Sequence, residues 1–120
     1  MIKCSTITIA EYCVKGNSSE LPLRNLQILP FNFDHAERAG RLMAAFRSNR
    51  TTENTFERAV VINDVKLLAQ ADVEATIDAF ATFDSSSKKI YDAVSIKNPL
   101  SFQFVDLHIP YHETFGILPV

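Results

Sequence analysis

An α/β domain with a mainly parallel sheet is the fold class this sequence predicts, and two observations carry it. Helix-like and strand-like segments alternate along most of the 120 residues, the order from which parallel sheets with covering helices are built. A hydrophobic share of 47% supplies enough apolar surface for one core, so residues 1–120 read as a single domain. Moderate charge and recurring apolar clusters exclude a disordered chain.

The first strand is short, Met1 to Cys4, and Ser5 or Thr6 then caps a helix that runs to about Lys15 before Gly16-Asn17. Residues 18–26, broken by Pro22, form a loop with a short helix. A strand follows over Gln27–Phe31. Asn32 or Asp34 caps the clearest helix, on which Ala36, Ala39, Leu42, Met43 and Phe46 share one apolar face. The polar stretch from Ser48 to Thr55 reads as a mobile loop. A helix starts between Phe56 and Asn63 and runs through Asp64 to Val73, and Thr76–Thr82 is a strand of small, β-branched and aromatic residues. A helix over Ser86–Ile96 ends at Asn98-Pro99, a last strand spans Ser101–Leu107, and the tail from His108 is irregular.

A net charge of −2 and a pI of about 5.9 exclude a general nucleic-acid coat, which is usually basic. They leave room for acidic groups that hold a cation against a phosphate. The N-terminal residues show neither a secretory pattern nor a membrane span, so a cytoplasmic protein is expected. Cys4 and Cys13 are expected as buried thiols rather than a disulfide.

Three acids stand in telling places. Glu11 falls on the stripe of Ile7, Ala10 and Val14; either a cation pairs with it there, or it reaches water from the stripe's margin. Asp64 follows the apolar run Val60-Val61-Ile62 at a helix start, where an aspartate also serves as a cap. Asp84 follows the strand ending at Phe83, where it is either a turn former or a group at the ligand-binding end of a parallel sheet. Carboxylate oxygens on three separate elements suit Mg²⁺ or Mn²⁺ if they converge.

The ordered segments Ser5-Thr6-Ile7-Thr8-Ile9-Ala10-Glu11, Asn63-Asp64-Val65-Lys66-Leu67-Leu68-Ala69-Gln70-Ala71 and Ala81-Thr82-Phe83-Asp84 resemble the signatures of PIN domains, the ribonuclease fold of toxin–antitoxin systems. The resemblance covers residues 2–93 and implies a PIN-like three-layer fold. It implies that Glu11, Asp64 and Asp84 are catalytic and hold Mg²⁺ or Mn²⁺, with Thr82 orienting a ligand, and that the chain hydrolyses RNA phosphodiesters. A separately encoded antitoxin is the implied protein partner. The family opens with an aspartate-bearing strand, usually followed by a helix, ahead of the glutamate. Met1 stands ten residues before Glu11, so the resemblance implies a domain incomplete at its N-terminus, weak or inactive by itself, and homo-oligomeric through open sheet edges. An inactive RNA- or protein-binding module of the same fold is the alternative.

Arg47, Arg50, Lys88 and Lys89 could contact an RNA backbone or form a solvated face. His108 and His112 have a zinc-binding spacing, but Pro110 between them opposes a helix. His35 reads as a surface histidine near a helix start.

Overall fold

The computed structural model describes residues 2–48 and 58–107. The loop expected beyond Ser48, Arg50 within it, and the tail with His108 and His112 lie outside those residues. The described chain is mixed α/β: β1 (Ile2–Ser5), α1 (Thr6–Tyr12), two 3-10 turns (Ser18–Glu20 and Leu23–Asn25), β2 (Leu26–Leu29), α2 (Phe33–Ser48), α3 (Arg58–Val73), β3 (Ala79–Thr82), α4 (Ser85–Ser95) and β4 (Gln103–Asp106).

Local chemistry sets the element ends. The Ser5 hydroxyl accepts from the Ile7 amide at 3.1 Å and caps α1, satisfying one of the free amides of the first turn. This helix stops at Tyr12, short of the expected Lys15. Beyond it the Val14 and Lys15 amides reach back only three residues, to the Glu11 and Tyr12 carbonyls, the tighter geometry of a closing turn. A Cβ on Gly16 would stand 2.6 Å from the Tyr12 ring, so any other residue there would push that exposed ring aside. Strand β2 ends at Leu29 rather than Phe31, because Pro30 has no N–H for a ladder.

The N-terminus of α2 overturns the expectation of a surface histidine. His35 is 0% exposed. The Asn32 side-chain oxygen accepts from the His35 amide at 3.1 Å, and His35 Nδ1 accepts from the Asn32 amide at 3.0 Å. This reciprocal arrangement does for α2 what a capping box does elsewhere. It also places the ring proton on Nε2, which lies 3.5 Å from Glu74 Oε2 without forming a hydrogen bond.

Helices α2, α3 and α4 hold the core between them. Leu42, Leu68, Ile90 and Val94 are fully buried, with Val65, Ala69 and Phe102 alongside. The expected face of α2 is present in Ala39, Leu42 and Phe46, with Met43 packed at its margin. By contrast α1 buries no residue, and Val14 just beyond it is 78% exposed. Both thiols are free, as expected, but neither is buried: Cys4 on β1 is half-buried, and Cys13 is exposed just beyond α1, which packs no face into the core.

All described strand pairing is parallel, as expected, but it forms two sheets rather than one. Strands β1 and β2 pair with Ile2 opposite Leu26 and Ser5 opposite Leu29. Strands β3 and β4 pair with Ala79 opposite Gln103 and Thr82 opposite Asp106. Between β1 and β3 the link is a side-chain one, Lys3 Nζ donating to Thr76 Oγ1 at 2.6 Å. Thr76 stands ahead of β3, and among the described residues β1 and β3 border a cleft instead of joining a common sheet.

Replacing Asn32 with Ala removes the α2 cap and leaves the buried His35 ring without its backbone partner's orientation. A loss of about 1–2 kcal/mol in urea unfolding is expected. An unchanged midpoint would show that the Asn32–His35 exchange does not anchor the helix.

Candidate functional site

The cleft between the two sheets has a volume of about 790 Å³. Strands β1 and β3 form its walls, and Leu67, Gln70 and Ala71 of α3 line it between them. Glu11, Asp64, Thr82, Asp84 and Ser87 also line it. The three acids expected from the sequence therefore come from three helical regions and face one space. They gather at the carboxyl ends of β1 and β3, the side of a parallel sheet on which ligands sit.

Each acid is held by one oxygen. Glu11, exposed on α1, accepts from Asn63 Nδ2 at 3.3 Å through Oε2. Asp64 accepts from the Ser87 hydroxyl at 3.1 Å through Oδ2. Asp84 caps α4, its Oδ1 accepting from the Ser86 amide at 2.9 Å and from the Ser86 hydroxyl at 2.7 Å. Thr82 Oγ1 accepts from the Asp84 amide at 3.0 Å, so Thr82 fixes the turn that presents Asp84. Among the described residues, the second oxygen of each acid carries no hydrogen bond.

Alternatives left open for two of these acids are decided, Glu11 reaching water and Asp64 not capping a helix. Glu11 does not face the core, because the stripe it shares with Ile7 and Ala10 is not buried. Asp64 does not cap a helix start: α3 is already helical at Arg58. Its carboxylate instead projects from the helix body toward α4. Burial pushes the Asp64 carboxyl up from its usual 3.8 to about 6; the Ser87 hydrogen bond opposes the shift, and the charges of Asp84 and then Glu11 add to it. The charges of Asp84 and Glu11 thus both reach Asp64 across the cleft that all three line.

The donor set is all oxygen, which suits Mg²⁺ or Mn²⁺. Among the described residues, however, no group of three or more His, Cys, Asp or Glu side chains is placed to hold a metal ion as the side chains stand. The expected RNA-contacting cations lie elsewhere. Arg47 is exposed at the end of α2. Lys88 pairs with Asp92 at 2.7 Å and lies over the Tyr91 ring, and Lys89 is exposed on α4. None of the three lines the cleft, whereas Lys3 does.

Ser87, Asn63 and Lys3 were not singled out in the sequence. Ser87 had a signal, because with Ile90 and Val94 it falls on the buried face of α4, where a hydroxyl needs a partner. Asn63 and Lys3 had none, since their partners lie 52 and 73 residues away. Comparison with family models, with curated proteins and with solved structures finds no match.

A carboxyl raised in the folded chain favours folding while it is protonated. The contribution is fully present below about pH 4 and is lost as pH rises through about 6. Asp64→Asn keeps an acceptor for Ser87 and removes the ionisation. With solvent screening at this half-buried site allowed for, the variant should be more stable than the parent by about 1 kcal/mol near pH 8, and level with it below about pH 4. Urea unfolding at the two pH values reads this, and equal differences at both would show that Asp64 ionises normally.

Proposed function

We propose that this chain is a PIN-like ribonuclease domain, with the three-layer fold of that family, acting on RNA phosphodiesters. The observation that carries the reading is the cleft itself: Glu11, Asp64 and Asp84 come from separate elements and line one space at the carboxyl ends of parallel strands, where burial, with the charges of Asp84 and Glu11 adding to it, raises the carboxyl of Asp64. The motif order and the parallel βαβ connections support it.

In this reading Glu11, Asp64 and Asp84 are the residues that would hold Mg²⁺ or Mn²⁺. The bound ion would supply the charge that lowers the pKa of an attacking water and offsets charge on the phosphate. Asn63 and Ser87 steady the Glu11 and Asp64 carboxylates, as outer hydrogen bonds do around metal ligands. Thr82 steadies the turn carrying Asp84. Asp64 is ready to accept a cation only once ionised, so binding strengthens as pH rises through about 6.

A second reading keeps the fold as an RNA- or protein-binding module without catalysis. The observation favouring it is that no three ligating side chains among the described residues are placed around a common ion position. The nuclease reading makes the chain the cytoplasmic toxin component of a toxin–antitoxin pair, with RNA and a separate antitoxin as partners. Self-association is supported by the open face of α1 and by Ile2, 71% exposed at the start of β1. No described helix is long and apolar enough to cross a membrane.

Cleavage of a fluorescent single-stranded RNA by the purified chain, with Mg²⁺ or Mn²⁺ and with EDTA, distinguishes the readings. The nuclease reading expects slow, EDTA-sensitive cleavage that Asp84→Asn lowers about tenfold or more. RNA binding without cleavage in either metal assigns the chain to the second reading. Cleavage unaffected by EDTA would overturn the metal-dependent mechanism.

A further inference from the structure

We propose that Tyr91, with Phe104 and Lys88, forms a subsite beside the acids that stacks an unpaired base and holds its phosphate. The inference rests on the reading of this chain as one that acts on RNA, and it adds a preference for single strands.

The three residues stand in line with the acid site. Asp84 caps α4, and Lys88 and Tyr91 follow it at i+4 and i+7, on one stripe of that helix. Helix rise places Lys88 about 6 Å and Tyr91 about 10 Å along the axis from Asp84. Ser87, Ile90 and Val94 are the residues that α4 buries. Beside them Lys88 is exposed and Tyr91 half-buried, so the stripe borders solvent.

The rings are fixed by packing. Tyr91 and Phe104 of β4 lie 4.9 Å apart between centroids. Phe80 packs against Phe104 at 5.7 Å, and the buried Phe102 against Tyr91 at 5.9 Å. Phe104, like Tyr91, is only half-buried. Each ring is therefore held from the core and keeps accessible surface.

A cation is held over them. Lys88 Nζ lies 5.1 Å from the Tyr91 centroid and 5.7 Å from that of Phe104, and Asp92 binds it at 2.7 Å. An ammonium already held in one place loses little further freedom when a phosphate replaces Asp92. In the bound state the phosphate takes Lys88, and the base takes the Tyr91 ring.

Aromatic faces beside cations are the means by which single-stranded nucleic acid is held, bases stacking while phosphates pair. A duplex keeps its bases stacked on one another and could use only the lysine. An acidic peptide would also use the lysine and leave the rings without a role.

The probe is fluorescein-labelled decauridylate, bound at equilibrium to the full chain in EDTA so that no metal-dependent cleavage enters. Tyr91→Leu should weaken binding at least about fivefold, and Tyr91→Phe should keep it within about twofold of the parent. Lys88→Met should lower the log–log salt slope by about 0.7, the share of one phosphate contact on a single strand. In the unsubstituted chain the Tyr91 ring protons should shift upfield as the RNA is added, a readout that needs no variant to fold. Tyr91→Leu binding like the parent, an unmoved Tyr91 ring signal, or equal binding of a decauridylate–decaadenylate duplex would overturn the subsite. Polyglutamate bound by the parent, and weakened by Tyr91→Leu as much as the RNA is, would assign the surface to an acidic protein instead. RNA cleaved in Mg²⁺ equally well by the parent and by Tyr91→Leu, with equal binding, would overturn the subsite alone. Neither binding nor cleavage by the parent would overturn the nuclease reading with it.

Discussion

Every part of this structure depends on the polar rim of α3. Its apolar residues Val65, Leu68 and Ala69 fill the core, but its polar side chains decide where the other elements sit. Asn63 reaches Glu11 on α1, and Asp64 reaches Ser87 on α4. Gln70, 2% exposed, donates to the Leu29 carbonyl at the end of β2 at 3.0 Å. Asp72 binds Arg38 of α2 at 2.8 Å and accepts from the Ser101 amide at 2.7 Å. A buried amide or carboxylate is costly unless satisfied, so each contact fixes position as well as lowering energy.

The same rim explains why the acids meet. Glu11 and Asp84 belong to different strand–helix units and share no backbone contact. Both are brought to Asp64 because α3 holds α1 through Asn63 and α4 through Asp64 itself. Partial burial of Asp64 is thus a result of packing against α4, and its raised pKa is a property of the assembly rather than of its own helix.

Much of the element order was legible in the sequence, because helix and strand periodicity is local. The apolar face of α2 was readable from spacing, and so were the strand before Asp84 and the helix after it. The acids Glu11, Asp64 and Asp84 were readable as candidates from motif order. What was not legible depends on distant partners. Asp64 resembled a cap because it follows an apolar run at an expected helix start; that run lies inside α3. His35 looked exposed because its neighbours Asp34 and Glu37 are charged, yet the chain closes over it through Phe31 and Glu74. The division into two sheets could not be read at all, since strand alternation says which residues form a strand and not which edges meet.

The two strand pairs also share one dimension. Twenty residues separate Ser5 from Leu26, and twenty separate Thr82 from Gln103. Each parallel pair is therefore closed by a short crossover, and the entropy of closing a loop grows only slowly at such lengths. The contacts that span the greatest sequence distance are those between the pairs, such as Lys3 with Thr76. Loop closure therefore costs more for contacts between the pairs than within them, and docking of the pairs onto α2 and α3 is expected to follow their closure. Pulsed hydrogen exchange during refolding would then show the β1–β2 and β3–β4 amides protected ahead of the Gln70 side chain.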